Sequence, residues 1–281
     1  MTKLGLVQTR TGLYPDANAA SLAEAAERLA AEGAEIVFTP EMSGLLDRNT
    51  RRLLAAARTE TDDPALAALS DVARRRSVAI SIGSLAIRDP AASPEGRLAN
   101  RSFLIAADGR IAARYDKMHL FDVDLPNGDS YRESASFLSG GQVQLADLPW
   151  GRLGLAICYD LRFPQLHNAL ALAGAQVIAQ PAAFTVPTGE AHWHVLLRAR
   201  AIETGAFVVA AAQSGLHQDG RETYGHSLVV DPWGRVLLDM GTEPGIATVD
   251  IDLGEVADAR ARIPNLRHAR PLAEARIADA R

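Results

Sequence analysis

The chain holds a single cysteine, Cys158, and it stands where a nucleophile could work. It ends the apolar run Arg152-Leu-Gly-Leu-Ala-Ile-Cys, and the stretch Tyr159-Asp-Leu-Arg after it leads toward a helix. A thiol at a strand-to-helix turn is held by rigid elements near helix N–H groups, which favour a thiolate and can steady an oxyanion. The competing reading is a buried small hydrophobe, a common state of free cysteine. A thiol nucleophile also needs a proton acceptor and an oxyanion stabiliser. Seven histidines (119, 167, 192, 194, 217, 226 and 268) keep a Cys–His pair open, although His119 and His226 read as hydrogen-bonded structural residues.

Two other side chains stand at strand ends. Glu41 follows the strand-like run Glu35-Ile-Val-Phe-Thr; a carboxylate among apolar neighbours is expected to have a raised pKa suited to proton transfer. Lys117 follows the run Ile111-Ala-Ala-Arg-Tyr. Of the 29 basic residues only Lys3 and Lys117 are lysines. A chain that uses arginine for surface cations keeps a lysine where a compact or titratable ammonium is needed. The ordinary alternatives are a loop acid and a solvated hairpin-edge lysine. His192 and His194, two residues apart on a helix, face different ways, and no further ligand cluster completes a metal site.

These residues need strands and helices in alternation. The patterns predict strands at 3–9, 35–39, 78–83, 152–158, 176–180 and 206–212. They predict helices at about 18–32, 64–76, 164–173 and 190–203. Asp16 or Asn18 is the expected cap of the first helix. Hairpins are expected where Asp108-Gly109 joins 102–106 to 111–113, and where Asp231-Pro-Trp-Gly-Arg joins 227–230 to 236–238. Segments 88–98 and 122–142 read as loops, and the residues from about 258 as a C-terminal arm. The result is one α/β domain over 1–281 with layered sheets and helices.

Composition narrows the class. The 281 residues are 48% hydrophobic and 22% charged, with net charge −5 and no basic block, which argues against nucleic acid. A lone cysteine gives no intrachain disulfide, and there is neither a signal-peptide pattern nor a long apolar run. The expectation is a cytoplasmic protein with no membrane span, metal or cofactor. A thiol redox sensor would want a resolving cysteine, which the sequence lacks.

Three stretches together resemble the nitrilase superfamily of carbon–nitrogen hydrolases. They are Phe38-Thr-Pro-Glu41, Tyr115-Asp-Lys117-Met-His-Leu-Phe-Asp and Gly154-Leu-Ala-Ile-Cys158-Tyr-Asp-Leu-Arg-Phe-Pro. They match that family's Glu–Lys–Cys triad in its chain order. Ala183-Phe-Thr-Val-Pro-Thr-Gly-Glu-Ala-His-Trp, Leu197-Arg-Ala-Arg-Ala-Ile-Glu and Tyr224-Gly-His-Ser-Leu-Val-Val-Asp-Pro-Trp-Gly resemble the branch acting on deaminated glutathione and on omega-amides of 2-oxo acids. The resemblance implies a four-layer α-β-β-α sandwich and a homodimer. It implies catalytic Glu41, Lys117 and Cys158, with Glu133 beside them, and substrate contacts from Tyr159, Arg162, Phe184 and Thr188. The implied reaction hydrolyses an amide carrying a carboxylate, releasing ammonia and an acid through a thioester. Deaminated glutathione is the first substrate reading. The alternatives are 2-oxoglutaramate or 2-oxosuccinamate, a carbamoyl amine, or a non-catalytic protein that keeps the fold. Two departures from the family pattern stand out: Thr39 before Pro40-Glu41, and Ser139-Gly-Gly, which is expected to affect the loop carrying Glu133.

Overall fold

A computed structural model describes residues 1–93, 95–125, 128–275 and 277. Two sheets form its centre. Across the first run Gly245–Ile251, Thr2–Gln8, Ile36–Phe38, Ala79–Arg88, Leu98–Ile105 and Ile111–Asp116, with Phe137–Leu138 pairing beside Leu98–Ile105. Across the second run Val236–Asp239, Leu228–Val230, Phe207–Ala210, Val177–Ala179, Gly151–Leu155 and Gln144–Leu148. Each has a parallel centre flanked by antiparallel strands.

The layering follows from alternation of side chains along each strand. In the first sheet Leu4, Leu6, Ile36 and Phe38 share one core with Leu153, Leu155, Val177 and Phe207 of the second. Val7, Val37, Ile80 and Ile82 point the other way, onto Leu22, Ala26 and Leu29 of helix Pro15–Ala31 and Leu69 and Val72 of helix Pro64–Arg76. Helices Pro164–Leu172 and Val186–Thr204 cover the far side of the second sheet through Leu166, Leu170, Trp193 and Leu197. Helix, sheet, sheet and helix are therefore stacked in four layers. Each fully buried Leu or Ile contributes about 1.5–3 kcal/mol.

Local chemistry fixes the element ends. Pro15 and Pro64 open their helices at positions where the missing N–H is harmless. Asp63 caps its helix by accepting the Leu66 N–H at 2.9 Å. The first helix starts earlier than expected, after Tyr14. Asn18 lies inside it and bonds instead to Gly12 and Gly44. Both expected hairpins form. The loop expected at 122–142 contains the paired strands Asp122–Asp124 and Ser130–Arg132 and a 3-10 turn, Glu133–Ala135. Within it, residues 126 and 127 lie outside the described residues, as does residue 94 of the loop expected at 88–98. Near the C-terminus, helix Gly254–Arg262 buries Val256 and Ala259 against its own chain, and Arg260 donates to Thr204 and Ala175 carbonyls. Among the described residues no helix is long and apolar enough to cross a membrane.

Candidate active site

Glu41, Lys117 and Cys158 come from three different strand ends and meet in a cleft of about 380 Å3. All three are buried: Glu41 is 4% exposed, Lys117 2% and Cys158 7%. Glu41 Oε1 accepts from Lys117 Nζ at 2.8 Å, and Oε2 accepts from the Ala183 N–H at 3.0 Å. The Cys158 sulfur lies beside the same carboxylate, near enough for each to shift the other's protonation. Lys117 Nζ also reaches Glu133 Oε1 and Oε2, at 3.1 and 2.9 Å, and Glu133 Oε2 takes the Phe121 N–H at 2.7 Å. Asn100 Nδ2 bridges Glu41 Oε1 at 3.0 Å and Glu133 Oε1 at 2.9 Å. Asn100 and the Ala183 amide escaped the sequence reading. No strong signal marked Asn100, which stands beside Arg101 and Ser102 in the strand Leu98–Ile105; only its burial shows that its amide must find partners.

The turn bearing Glu41 is tied down on several sides. Thr39 Oγ1 accepts the Gly83 N–H and the Ser43 hydroxyl, both at 3.1 Å. Met42, in left-handed backbone at φ +55°, donates its N–H to Ser84 Oγ at 2.9 Å. The passing strand Ala79–Arg88 needs glycine at 83, where a Cβ would lie 2.2 Å from the Thr39 carbonyl oxygen. Thr39 is thus a working part of this turn. Ser139-Gly-Gly acts on Lys117 rather than on Glu133. Gly140 donates its N–H to the Lys117 carbonyl at 2.9 Å, and a Cβ there would sit 2.2 Å from the Asp116 oxygen.

Cys158 opens a 3-10 turn, Cys158–Arg162, with φ +49°, an uncommon conformation for a non-glycine residue. Its N–H donates to Pro181 O at 2.8 Å, and its carbonyl accepts from Gln180 Nε2 at 3.2 Å. Fully buried Asp160 locks the turn to the strand that ends at Lys117. It accepts the Ile157 N–H at 2.9 Å, the Tyr115 hydroxyl at 2.7 Å and the His119 N–H at 3.1 Å, with His119 Nδ1 at 2.7 Å. Arg162 therefore does not pair with Asp160. Its Nη1 lies 3.2 Å from His192 Nδ1, and its guanidinium sits over the Phe184 and Tyr159 rings at 5.5 and 5.9 Å. Tyr159, Arg162, Phe184 and Thr188 all line the cleft.

The electrostatics correct two expectations. Burial alone would raise the Glu41 carboxyl, but the Lys117 charge and hydrogen bonds from Cys158, Lys117 and Asn100 bring it below its ordinary value. Burial pushes the Cys158 thiol well up, and the Glu41 charge pushes it further, against the pull of Lys117. The resting pair is thus carboxylate and thiol, the reverse of the raised Glu41 pKa and the thiolate-favouring turn expected from sequence, and it leaves Glu41 able to take the thiol proton. Burial works against the Lys117 charge, yet Glu133 and Glu41 more than offset it and hold the ammonium well above the usual lysine value. His119 and His226 are both hydrogen-bonded to carboxylates, Asp160 and Asp239. His194 does have neighbours that the spacing argument missed: its ring, His226 and Asp239 offer ligand atoms within 4.8 Å of one another, with both imidazoles bonded to Asp239.

An anion, a neutral thiol and a fixed ammonium around one gap form a set that can move a proton off sulfur and hold a developing oxyanion. The sequence pattern of carbon–nitrogen hydrolases matches residues 3–261. A deaminated glutathione amidase of Synechocystis sp. is 42% identical over 240 residues, covering 84% of this chain and 86% of that one. The C. elegans NitFhit protein superposes with TM-score 0.89 at 36% identity, over 96% of this chain and 65% of that longer one. An amidase from Nesterenkonia sp. AN1, whose structure shows acrylamide added at its active-site cysteine, superposes with TM-score 0.76 at 30% identity, over 94% of this chain and 98% of that one.

Proposed function

Because this chain belongs to the carbon–nitrogen hydrolase family and is an amide-hydrolysing enzyme, we propose that its substrate is deaminated glutathione and its nucleophile Cys158. The observation that carries this reading is the cleft. It is a space of about 380 Å3 in which Arg162, free of any carboxylate partner among the described residues, stands four residues from the sulfur. A carbamoyl amine that carries no carboxylate needs neither that volume nor an arginine. Deaminated glutathione has a carboxylate at each end, with the scissile amide between them.

In the proposed reaction Glu41 accepts the thiol proton as sulfur bonds to the amide carbon. The oxyanion rests against Lys117 Nζ and the Tyr159 N–H, a first-turn amide with no intrahelical acceptor. The C–N bond breaks as Glu41 returns the proton to the departing nitrogen. A primary amide would release ammonia; deaminated glutathione releases a peptide amine, which refines the ammonia expected from sequence. Water then attacks the thioester, Glu41 takes its proton, the C–S bond breaks and sulfur recovers the proton. Glu133 keeps Lys117 charged and aimed. Arg162 takes the acyl-side carboxylate in a two-bonded fork.

The test is turnover of deaminated glutathione beside 2-oxoglutaramate. The reading predicts kcat/KM at least about tenfold higher for the longer compound, the scale of one charged hydrogen bond. A preference for 2-oxoglutaramate would assign the enzyme to that shorter amide. We also infer a cytoplasmic homodimer, since a lone thiol suits a reducing compartment and helices Pro164–Leu172 and Val186–Thr204 expose Leu172, Val195 and Ile202. Sedimentation at micromolar protein checks the dimer; a monomer would contradict it.

A further inference from the structure

Charge on the cleft wall is unevenly matched. Its acidic side chains are all engaged: Glu41 and Glu133 hold Lys117, and Asp47 holds Arg52 through bonds of 2.7 and 2.9 Å. Four arginines line the cleft among the described residues. Arg132 is paired with Asp124, and Arg162 lies beside the nucleophile. Arg48 and Arg221 remain. The Arg48 guanidinium has no carboxylate within ion-pair reach among the described residues; its backbone N–H instead donates to Asp219 Oδ2 at 2.7 Å. The Asp219 side chain is fully buried and also accepts the Arg221 N–H at 2.9 Å. It also forms a loose ion pair with Arg221, 3.8 Å from Nε and beyond hydrogen-bond range, and that buried Nε has no hydrogen-bond acceptor among the described residues. One buried carboxylate thus joins two loops whose arginines both line the cleft. Both act on the Tyr131 phenol. Asp129, the other acid near Tyr131, is exposed and, like Asp219, does not line the cleft.

We propose that Arg48 and Arg221 form a second anion-binding pole, which holds the carboxylate on the amine half of the substrate. This rests on the reading above, that the substrate carries a carboxylate on each side of the scissile amide. The two poles stand at opposite ends of one aromatic wall. Tyr131 packs on Phe121 at 5.1 Å, Phe121 on Tyr159 at 5.2 Å, and the Arg162 guanidinium covers Tyr159. Arg162 shares the 3-10 turn of Cys158 and so serves the acyl half, which stays bound to sulfur. Arg48 is exposed. The amine product must leave before water can reach the thioester, so its carboxylate belongs at the pole that opens to solvent. Guanidinium suits it, because its planar donors match a carboxylate.

The test compares deaminated glutathione with the same compound carrying a carboxamide at its glycine end. Wild-type enzyme should prefer the acid by about tenfold or more in kcat/KM, mostly through KM, as expected when charged hydrogen bonds are lost. In the R48Q/R221Q double variant that ratio should fall to about one, and R48Q alone, at an exposed position, should give a partial fall with an unchanged melting temperature. A wild-type ratio near one, or a ratio kept in the double variant, overturns this inference while leaving the amidase reading intact. Failure of wild-type enzyme to turn over either compound overturns the substrate reading and this inference with it.

Discussion

Asn100 Nδ2 donates to Glu41 Oε1 at 3.0 Å, and through that contact a strand residue adds to the pull of Lys117 that keeps the proposed base a carboxylate. The same nitrogen reaches Glu133, while Asn100 Oδ1 is buried without a donor among the described residues. The two carboxylates dictate which way this amide faces. In Asn100→Leu, Glu41 loses a hydrogen bond to its charged form, so its pKa rises. The acid limb of kcat/KM should move to higher pH, with a fall of about tenfold at neutral pH. An unmoved limb would make Asn100 a packing residue only.

The wild-type pH profile has a predicted shape. Glu41 is held below its ordinary value, so kcat/KM should fall only below about pH 4.3, the usual glutamate value. Cys158 and Lys117 are both raised, so no loss is expected until above about pH 8.5. A limb centred near pH 6.5 would point to a histidine base and contradict the assignment of Glu41.

Lys117→Arg keeps the charge but not the compact ammonium. Two carboxylates enclose Nζ on 2.8 and 2.9 Å contacts, and a guanidinium does not fit among them. Turnover should drop by about 100-fold or more, the scale of losing an oxyanion donor. Rates within a few-fold of wild type would remove Lys117 from the chemistry.

How much of this was legible before the fold? The proposed triad was, because strand ends are marked by apolar runs that stop at Thr39, Asp116 and Ile157. So were both Asp-Gly and Pro-Trp-Gly hairpins, whose turn chemistry is local. The Glu41 pKa was not: apolar neighbours in sequence pointed upward, while Lys117, 76 residues away, reverses the sign. The helix Thr50–Ala56 was missed because it buries one residue, Leu53, and shows little periodicity. The small strands at 122–132 were missed because each is three residues long, and the alternation of Asp122-Val-Asp and Ser130-Tyr-Arg is too short to stand out from a loop.

His167 supplies a stability prediction. It is fully buried between Phe163 O at 3.2 Å and Gln180 Oε1 at 2.8 Å, and burial lowers its pKa from 6.5 to about 4. The unfolded chain therefore binds a proton that the folded one refuses. Stability is complete above about pH 6.5 and declines as pH falls toward 4, by on the order of 3 kcal/mol. In His167→Gln the decline of melting temperature between pH 7 and pH 5 should be shallower than in wild type; an equal slope would contradict this.

The proposed chemistry turns on the Cys158 sulfur, and Cys158→Ala tests it most directly. With the thiol gone no thioester can form, and release of the amine from deaminated glutathione should fall to the uncatalysed background. Release by that variant at a rate near wild type would contradict the account.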